Sequence, residues 1–179
     1  MLKITIPATE MFDERTQEFL IMKEQTLQLE HSLVSLSKWE SKWNKPFLVK
    51  DEKTLEETID YIKCMTITQN VNPEVYNRLT KENFETINNY IQAPMTATTF
   101  HHQNGSPSRE IVTSELIYYW MISLNIPMEC QRWHLNRLLT LIRVCNVKNT
   151  PPKKMNKREI ASRNASLNAA RRKRLGTRG

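Results

Sequence analysis

The strongest pattern of hydrophobic and polar positions lies in residues 111–145, which hold two of the chain's four tryptophans. After Pro127 the apolar residues recur at helical spacing and polar residues occupy the opposite side, which is typical of an amphipathic helix. The apolar side consists of Cys130, Trp133, Leu135, Leu138, Leu139, Ile142 and Cys145. Because proline is favoured at the first position of a helix, we expect this helix to begin at Pro127, after a turn at residues 125–127.

Residues 110–124 are apolar on nearly every side and predict the first arm of a helical hairpin, with the helix after Pro127 as the second arm. We expect Ser106 to cap the first arm. The apolar run is shorter than the ~20 residues that span a bilayer, and the arm carries Glu110 and Glu115, so we predict no membrane span. The hairpin should form the core of the protein. Its first arm should be covered on several sides, by the rest of the chain or by another chain.

The amino-terminal residues 2–30 alternate between apolar and polar side chains, or run apolar, on either side of a polar turn at residues 13–15. This pattern predicts antiparallel strands. A sheet this small is marginally stable on its own. We therefore expect a β element over residues 1–31 that packs on the helices or adds to the sheet edge of a neighbour.

Residues 32–44 predict a short helix that ends before Pro46, with an apolar stripe of Leu33, Leu36, Trp39 and Trp43. Two tryptophans four residues apart form a large apolar surface, which belongs either to the core or to a partner-binding site. Aromatic residues are enriched where protein partners bind. The candidate partner-binding residues are Trp39, Trp43, Trp120 and Trp133.

Two more helices are predicted before residue 92. The first opens at residues 51–53, and its inward side is expected to carry Leu55, Ile59 and Ile62. The residues expected on its solvent side are Glu56, Glu57 and Asp60. After a turn that starts at residues 72–73, Thr80 is expected to cap a helix with an apolar side of Phe84, Ile87, Tyr90 and Ile91. Residues 92–108 predict a loop.

The composition favours a mainly α (α+β) fold, with a helical domain at residues 32–147 after the β element. Only three glycines and a charged fraction of 25% are typical of a largely helical, soluble protein rather than a β sandwich. The amino terminus lacks the pattern of a signal peptide, which predicts a cytoplasmic protein. Three cysteines, Cys64, Cys130 and Cys145, are an odd number without close spacing, so we expect neither a disulfide framework nor a zinc ribbon.

A basic tail is predicted at residues 148–179, which contain eleven Lys or Arg residues and one acidic residue, Glu159. The rest of the chain then has fifteen basic and eighteen acidic residues, so the net charge of +7 belongs to the tail. Alanines at 161, 165 and 169 would permit a helix once a partner neutralised the charge, and the tail alone should be poorly ordered.

Three roles are open for the tail: binding of nucleic acid, contact with an acidic protein surface, or simple solubility. The cations that would contact an anionic partner are Lys153, Lys154, Arg171, Arg172, Lys173, Arg174 and Arg178. The tail contains no aromatic residue that would stack on bases, so any binding of nucleic acid should be independent of sequence.

Catalytic chemistry has little support in the sequence. Cys130 and His134 lie four residues apart and would place a thiolate beside an imidazole, or provide two metal ligands. His101 and His102 form a second pair of candidate ligands. No second ligand pair has matching spacing, and no phosphate loop, dinucleotide fingerprint or serine nucleophile elbow is present. We therefore predict a protein that is not an enzyme and has no cofactor or metal, with Cys130 buried.

Parts of the chain resemble virion-assembly proteins of tailed bacteriophages, most closely the tail assembly chaperones. The resemblance rests on WESKWNKPF at residues 39–47, the Tyr119-Trp120 pair, IPMEC at 126–130 and WHLNRL at 133–138. It implies a non-enzymatic protein of the host cytoplasm, or of the virion, that coats the long tape-measure protein and helps tail-tube subunits to polymerise around it.

The arginine-rich tail is not a requirement for such a chaperone. It keeps open a second interpretation, in which the protein is a structural or accessory component of the virion and its tail binds nucleic acid or an acidic neighbouring subunit. In either case the apolar first arm of the hairpin leaves room for a homo-oligomer.

Overall fold

A computed structural model describes residues 1–13, 18–100, 110–151 and 156–176 of the chain. The four strands are β1 (Leu2–Ile6), β2 (Thr9–Asp13), β3 (Glu18–Met22) and β4 (Gln25–Leu29). The α-helices are α1 (Leu33–Trp43), α2 (Leu55–Met65), α3 (Lys81–Gln92), α4 (Ser114–Ser123), α5 (Leu135–Asn149) and α6 (Lys157–Leu175). Short 3-10 helices at Pro73–Arg78 and Met128–Arg132 precede α3 and α5. The predicted mainly α fold with a small amino-terminal antiparallel β element is confirmed.

The strands form two antiparallel sheets of two strands each. One sheet pairs β1 with β4, and the other pairs β2 with β3, which lie between β1 and β4 in the chain. The register of β1 and β4 runs from Leu2 opposite Leu29 to Ile6 opposite Gln25. Alternate residues of these two strands point into the core, as expected for a ribbon with one buried face. These buried residues are Ile4, Ile6, Leu27 and Leu29. The turn predicted at residues 13–15 extends beyond the described residues.

The buried side chains form two cores that meet on α1. The first core joins the β1–β4 pair to α2, α3 and the first 3-10 helix, and includes Trp39. The second joins α4, the second 3-10 helix and α5 to the start of α1 through Leu33 and Leu36. The β element and the helices through α5 therefore belong together. The contacts between residues divide the chain into two compact units, Met1–Asn146 and Val147–Gly179.

Both helical arms of the hairpin begin at residues other than those predicted. Thr113 is the N-cap of α4, accepting a hydrogen bond from the Leu116 N–H at 3.5 Å, whereas the predicted cap Ser106 lies outside the described residues. The second arm is interrupted, since α5 begins at Leu135 rather than at Pro127. The reason is a tertiary contact: the Leu135 N–H donates to the carbonyl of His31 at 2.7 Å, where the chain enters α1. The apolar spacing continues across this interruption, so the periodicity alone does not reveal it.

The tail contains a long helix, α6, where the sequence predicted a poorly ordered segment. Both ends of the helix are capped by local residues. Asn156 accepts a hydrogen bond from the Glu159 N–H at 2.8 Å, the Glu159 carboxylate accepts one from the Asn156 N–H at 3.0 Å, and Gly176 ends the helix with a φ of 66°. Such caps stabilise a helix without any tertiary packing. No residue of α6 is buried.

Candidate partner-binding surfaces

Trp39, a predicted partner-binding residue, lies in the core. Its side chain is 1% exposed, and its indole N–H donates to the backbone carbonyl of Glu57 at 2.9 Å. The Trp39 ring also packs against Phe47, with ring centroids 5.1 Å apart. A partner cannot reach this side chain in the folded protein, so its assignment to a partner surface is corrected to a core position.

Trp43 stacks on Trp39 and is half-buried, and its indole N–H donates to the Asp60 carboxylate at 3.0 Å. Lys42 forms an ion pair with the other oxygen of the same carboxylate. One turn before Asp60 on α2, Glu57 forms an ion pair with Lys45 at 2.6 Å. Both tryptophans of α1 thus donate to α2, Trp39 to the backbone carbonyl of Glu57 and Trp43 to the carboxylate of Asp60.

The predicted orientation of α2 is correct for Ile62, which is buried, and for Ile59, which packs on the first core, but it is wrong at three other positions. Glu57 and Asp60 were expected to face solvent, yet they are 4% and 7% exposed, while Leu55, expected inside, is 67% exposed. The hydrogen bond from Lys45, and then that from the Thr54 backbone, lowers the pKa of the Glu57 carboxyl. The hydrogen bond to Asp60 raises the pKa of Lys42. Because the cations come from α1 and the chain just after it, the sequence of α2 alone gives no sign of them.

The other two tryptophans, Trp120 and Trp133, are each half-buried against the second core. The guanidinium carbon of Arg137 lies 4.2 Å from the centroid of the Trp133 ring, within the range of a cation–π contact. Part of each ring remains accessible, so the binding of a partner by these two residues stays a prediction.

The outer side of α4 is the most exposed apolar part of the hairpin. This helix buries Ile117 and Met121 completely, whereas Tyr119 and Ile122 are 64% and 67% exposed. Residues three apart on a helix are neighbours, so Tyr119 and Ile122 form one apolar patch, which we call the α4 patch. The sequence signal for it was an arm that is apolar on nearly every side. Of the two, only Tyr119 belonged to a motif that the sequence singled out.

A cleft of about 350 Å3 lies between α2 and α3, and its lining is mainly apolar. Phe47 and Tyr61 stack beside it with ring centroids 3.9 Å apart. The ammonium of Lys53 lies 4.5 Å from the centroid of the Phe47 ring. Neither the position nor the lining of this cleft was predicted.

Cys130 and His134 lie on separate elements rather than on one helix. Cys130 is on the 3-10 helix, and burial, followed by the charge of Glu129, raises the pKa of its thiol, which disfavours a reactive thiolate. His134 is buried and its ring contacts the ring of His31 at 5.1 Å. The second predicted pair, His101 and His102, lies outside the described residues. Within the described residues, no group of three or more His, Cys, Asp or Glu side chains is placed to hold a metal ion.

The predicted anion-binding residues of the tail fall into two sets. Arg171, Arg172, Lys173 and Arg174 lie at the carboxyl end of α6, the last three of them in its last turn, and all four are exposed. Lys153, Lys154 and Arg178 lie outside the described residues. The structure therefore brings together one basic cluster, at the carboxyl end of α6, where cations are favoured by the helix dipole.

Comparison of the chain with protein-family models, with curated proteins and with solved structures finds no match. None of the helices in the described ranges is both long enough and apolar enough to cross a membrane.

Proposed function

We propose that this protein is a tail assembly chaperone of a tailed bacteriophage, or a related assembly factor without enzymatic activity, that acts by reversible protein contacts in the host cytoplasm. The observation that carries the proposal is the α4 patch. Tyr119 and Ile122 are exposed on a helix whose opposite side is fully buried, so the patch is held in place by the second core and is available to a client.

The size of the patch suits a chaperone that must release its client. Complete burial of a large apolar side chain contributes roughly 1.5–3 kcal/mol. Two such side chains, with the accessible edges of Trp120 and Trp133, therefore support a contact that is useful but weak enough to reverse. A long helical tape-measure protein would offer many apolar segments to such a surface.

The resemblance of residues 39–47 and 119–138 to tail assembly chaperones supports the same client. In this account the first of these segments stabilises the fold, through Trp39 and Trp43, and the second carries the client-binding surface. The second interpretation, a structural or accessory component of the virion, would act through the basic tail on nucleic acid or an acidic neighbouring subunit, and not through the α4 patch.

The test is recovery of the tape-measure and tail-tube proteins from a phage-infected lysate by affinity-tagged wild-type protein and by a Tyr119→Ser, Ile122→Ser double variant. We expect the double variant to lose at least about tenfold in recovery, since about 1.4 kcal/mol corresponds to a factor of ten. Recovery by the wild type should survive high salt and nuclease, because apolar contacts are little screened.

A matched control is Leu55→Ser, which removes an equally exposed apolar side chain from α2. Circular dichroism should show the same helix content for all three proteins. Equal recovery by the double variant and the control would exclude the α4 patch. A patch that instead pairs two copies of this chain would show as a dimer of the wild type and a monomer of the double variant in light scattering.

A further inference from the structure

Helix α6 is rich in positive charge and contributes no buried side chain to a core. It carries seven Lys or Arg residues and one acidic residue, and none of its residues is buried. Five of the seven are arginines, whose planar guanidinium groups bind phosphate in a bidentate manner. We call these seven residues the α6 cations: Lys157, Arg158, Arg163, Arg171, Arg172, Lys173 and Arg174.

The single acidic residue of α6, Glu159, lies at the amino end of the helix, far along it from the basic residues 171–174. Glu159 is committed to the N-cap, where its carboxylate accepts a hydrogen bond from the Asn156 N–H. No acidic residue follows it up to Gly176. Within the described residues, none of the four basic residues at 171–174 takes part in an ion pair.

The positions of the cations match a partner that is negatively charged on more than one side. Successive residues of an α-helix are separated by about 100°. Arg171, Arg172, Lys173 and Arg174 therefore point in four directions around the helix axis. The two walls of a DNA groove present phosphates to both sides of a helix that lies between them.

A protein groove is a poorer match for α6 than a polyanion. A helix that binds in a protein groove carries apolar anchors at i, i+3, i+4 and i+7. In α6 the large apolar side chains Ile160 and Leu167 share a side, but Arg163 and Asn164 stand between them and Arg171 follows them. The helix thus lacks a continuous apolar side.

Among nucleic acids, the features of α6 favour duplex DNA. The helix contains no aromatic residue, so it offers no stacking platform for single strands. An α-helix with its side chains is about 10–12 Å wide, which fits the ~12 Å major groove of B-DNA. The major groove of duplex RNA is too narrow for side chains to enter.

We propose that α6 binds duplex DNA through its phosphates, without preference for sequence. This activity is separate from the chaperone function: it uses α6 rather than the α4 patch and is electrostatic rather than apolar. Because each neutralised phosphate releases counterions, the affinity must fall steeply with salt. Contact of about five to seven cations predicts a slope of about −4 to −6 in a plot of log K against log salt concentration.

The test is fluorescence anisotropy of the full-length protein with two labelled 30-base-pair DNA duplexes of unrelated sequence, at several salt concentrations. The variant replaces the four basic residues 171–174 by Gln, which keeps helix propensity. We expect it to bind about 10- to 100-fold more weakly and to have a slope shallower by about 3 to 4. The control replaces four exposed lysines of the first unit by Gln, namely Lys3, Lys23, Lys50 and Lys81.

Equal losses in the variant and the control would show a general charge effect and would overturn the proposal, as would a wild-type affinity that does not depend on salt. Three competitors complete the test: single-stranded DNA, duplex RNA and polyglutamate. Tighter binding to either nucleic acid competitor, or displacement of DNA by an equal charge of polyglutamate, would also contradict it. Circular dichroism confirms that α6 is retained in the variant.

Discussion

At the scale of single residues, the buried polar groups of the first unit are joined in a chain of contacts. His31 is hydrogen-bonded to the Tyr61 hydroxyl at 2.6 Å, and its ring lies against that of His134. His134 accepts a hydrogen bond from the Asn136 N–H at Nδ1, so its Nε2 carries the proton donated to the Tyr90 carbonyl at 3.0 Å. These histidines act as neutral hydrogen-bonding groups of the core.

The neutral state of His31 makes the stability of the protein depend on pH. Burial, followed by the nearby His134, lowers the pKa of His31 to about 3 from its ordinary value of 6.5. Burial lowers the pKa of His134 as well. Well above pH 6.5 both histidines are largely unprotonated in the folded and in the unfolded chain. Below it, the unfolded chain binds protons that the folded chain does not, so stability falls toward pH 3.

We therefore expect the free energy of unfolding to be constant between pH 8 and pH 7 and to fall below pH 6.5 by up to about 1.4 kcal/mol per pH unit for each histidine. Urea unfolding at pH 7.5, 6.5, 5.5 and 5.0 measures this. Measurements above pH 5 isolate the contribution of the histidines to stability, because the contribution of Glu57, whose pKa is lowered, is lost only at lower pH. In a His31→Gln variant the slope should be reduced, whatever the variant's absolute stability; an unchanged slope would contradict the assignment.

At the scale of elements, Glu40 joins three parts of the first unit. Its carboxylate accepts a hydrogen bond from the Phe47 N–H at 2.8 Å and another from the Ser114 N–H at 2.7 Å. Ser114 is the first residue of α4, and the helix dipole also favours a negative charge at this end of the helix. Glu40 is 7% exposed, so it fixes α1, the chain after it and the α4 helix to one another.

We expect Glu40→Ala to destabilise the protein by roughly 1–4 kcal/mol, because it leaves the buried Ser114 N–H without an acceptor, at about 1–3 kcal/mol, and the partly buried Phe47 N–H as well, which costs less. Glu40→Gln keeps one acceptor and should cost about half as much. Glu85→Ala, at an exposed position of α3, should change stability by no more than about 0.5 kcal/mol. Urea unfolding measures the stability of the three variants. Equal stability of Glu40→Ala and Glu85→Ala would contradict the role of Glu40 in joining these elements.

The same elements show what the sequence could and could not predict. The helices α1, α2 and α3 were found because apolar spacing, and for α3 also the cap Thr80, acts within one segment. On α2, Ile62 is buried as predicted, but Glu57 and Asp60 were wrongly placed on the solvent side because they bind lysines from another segment. The start of α5 was missed for the same reason, since a backbone bond to His31 sets it. Local patterns thus predict elements, whereas contacts between segments decide which side is buried.

At the scale of the whole molecule, the two proposed activities belong to different units. The α4 patch lies in the unit Met1–Asn146, and the α6 cations lie in the unit Val147–Gly179. The positive charge of the chain, which composition places after residue 147, lies in the second of these units. Composition did not predict which apolar side chains are exposed: of the four tryptophans, Trp39 is in the core and Trp43 binds Asp60, while Tyr119 and Ile122 form the patch.

The measurement that tests the chaperone proposal most directly is hydrogen–deuterium exchange of the intact protein, with and without a purified segment of the tape-measure protein. The account predicts slower exchange of the amides of α4, with little change in the α2–α3 cleft or in α6, and no slowing in the Tyr119→Ser, Ile122→Ser variant. Slowing confined to α6 or to the cleft, or slowing of α4 that persists in the double variant, would contradict the assignment of the client-binding surface to α4.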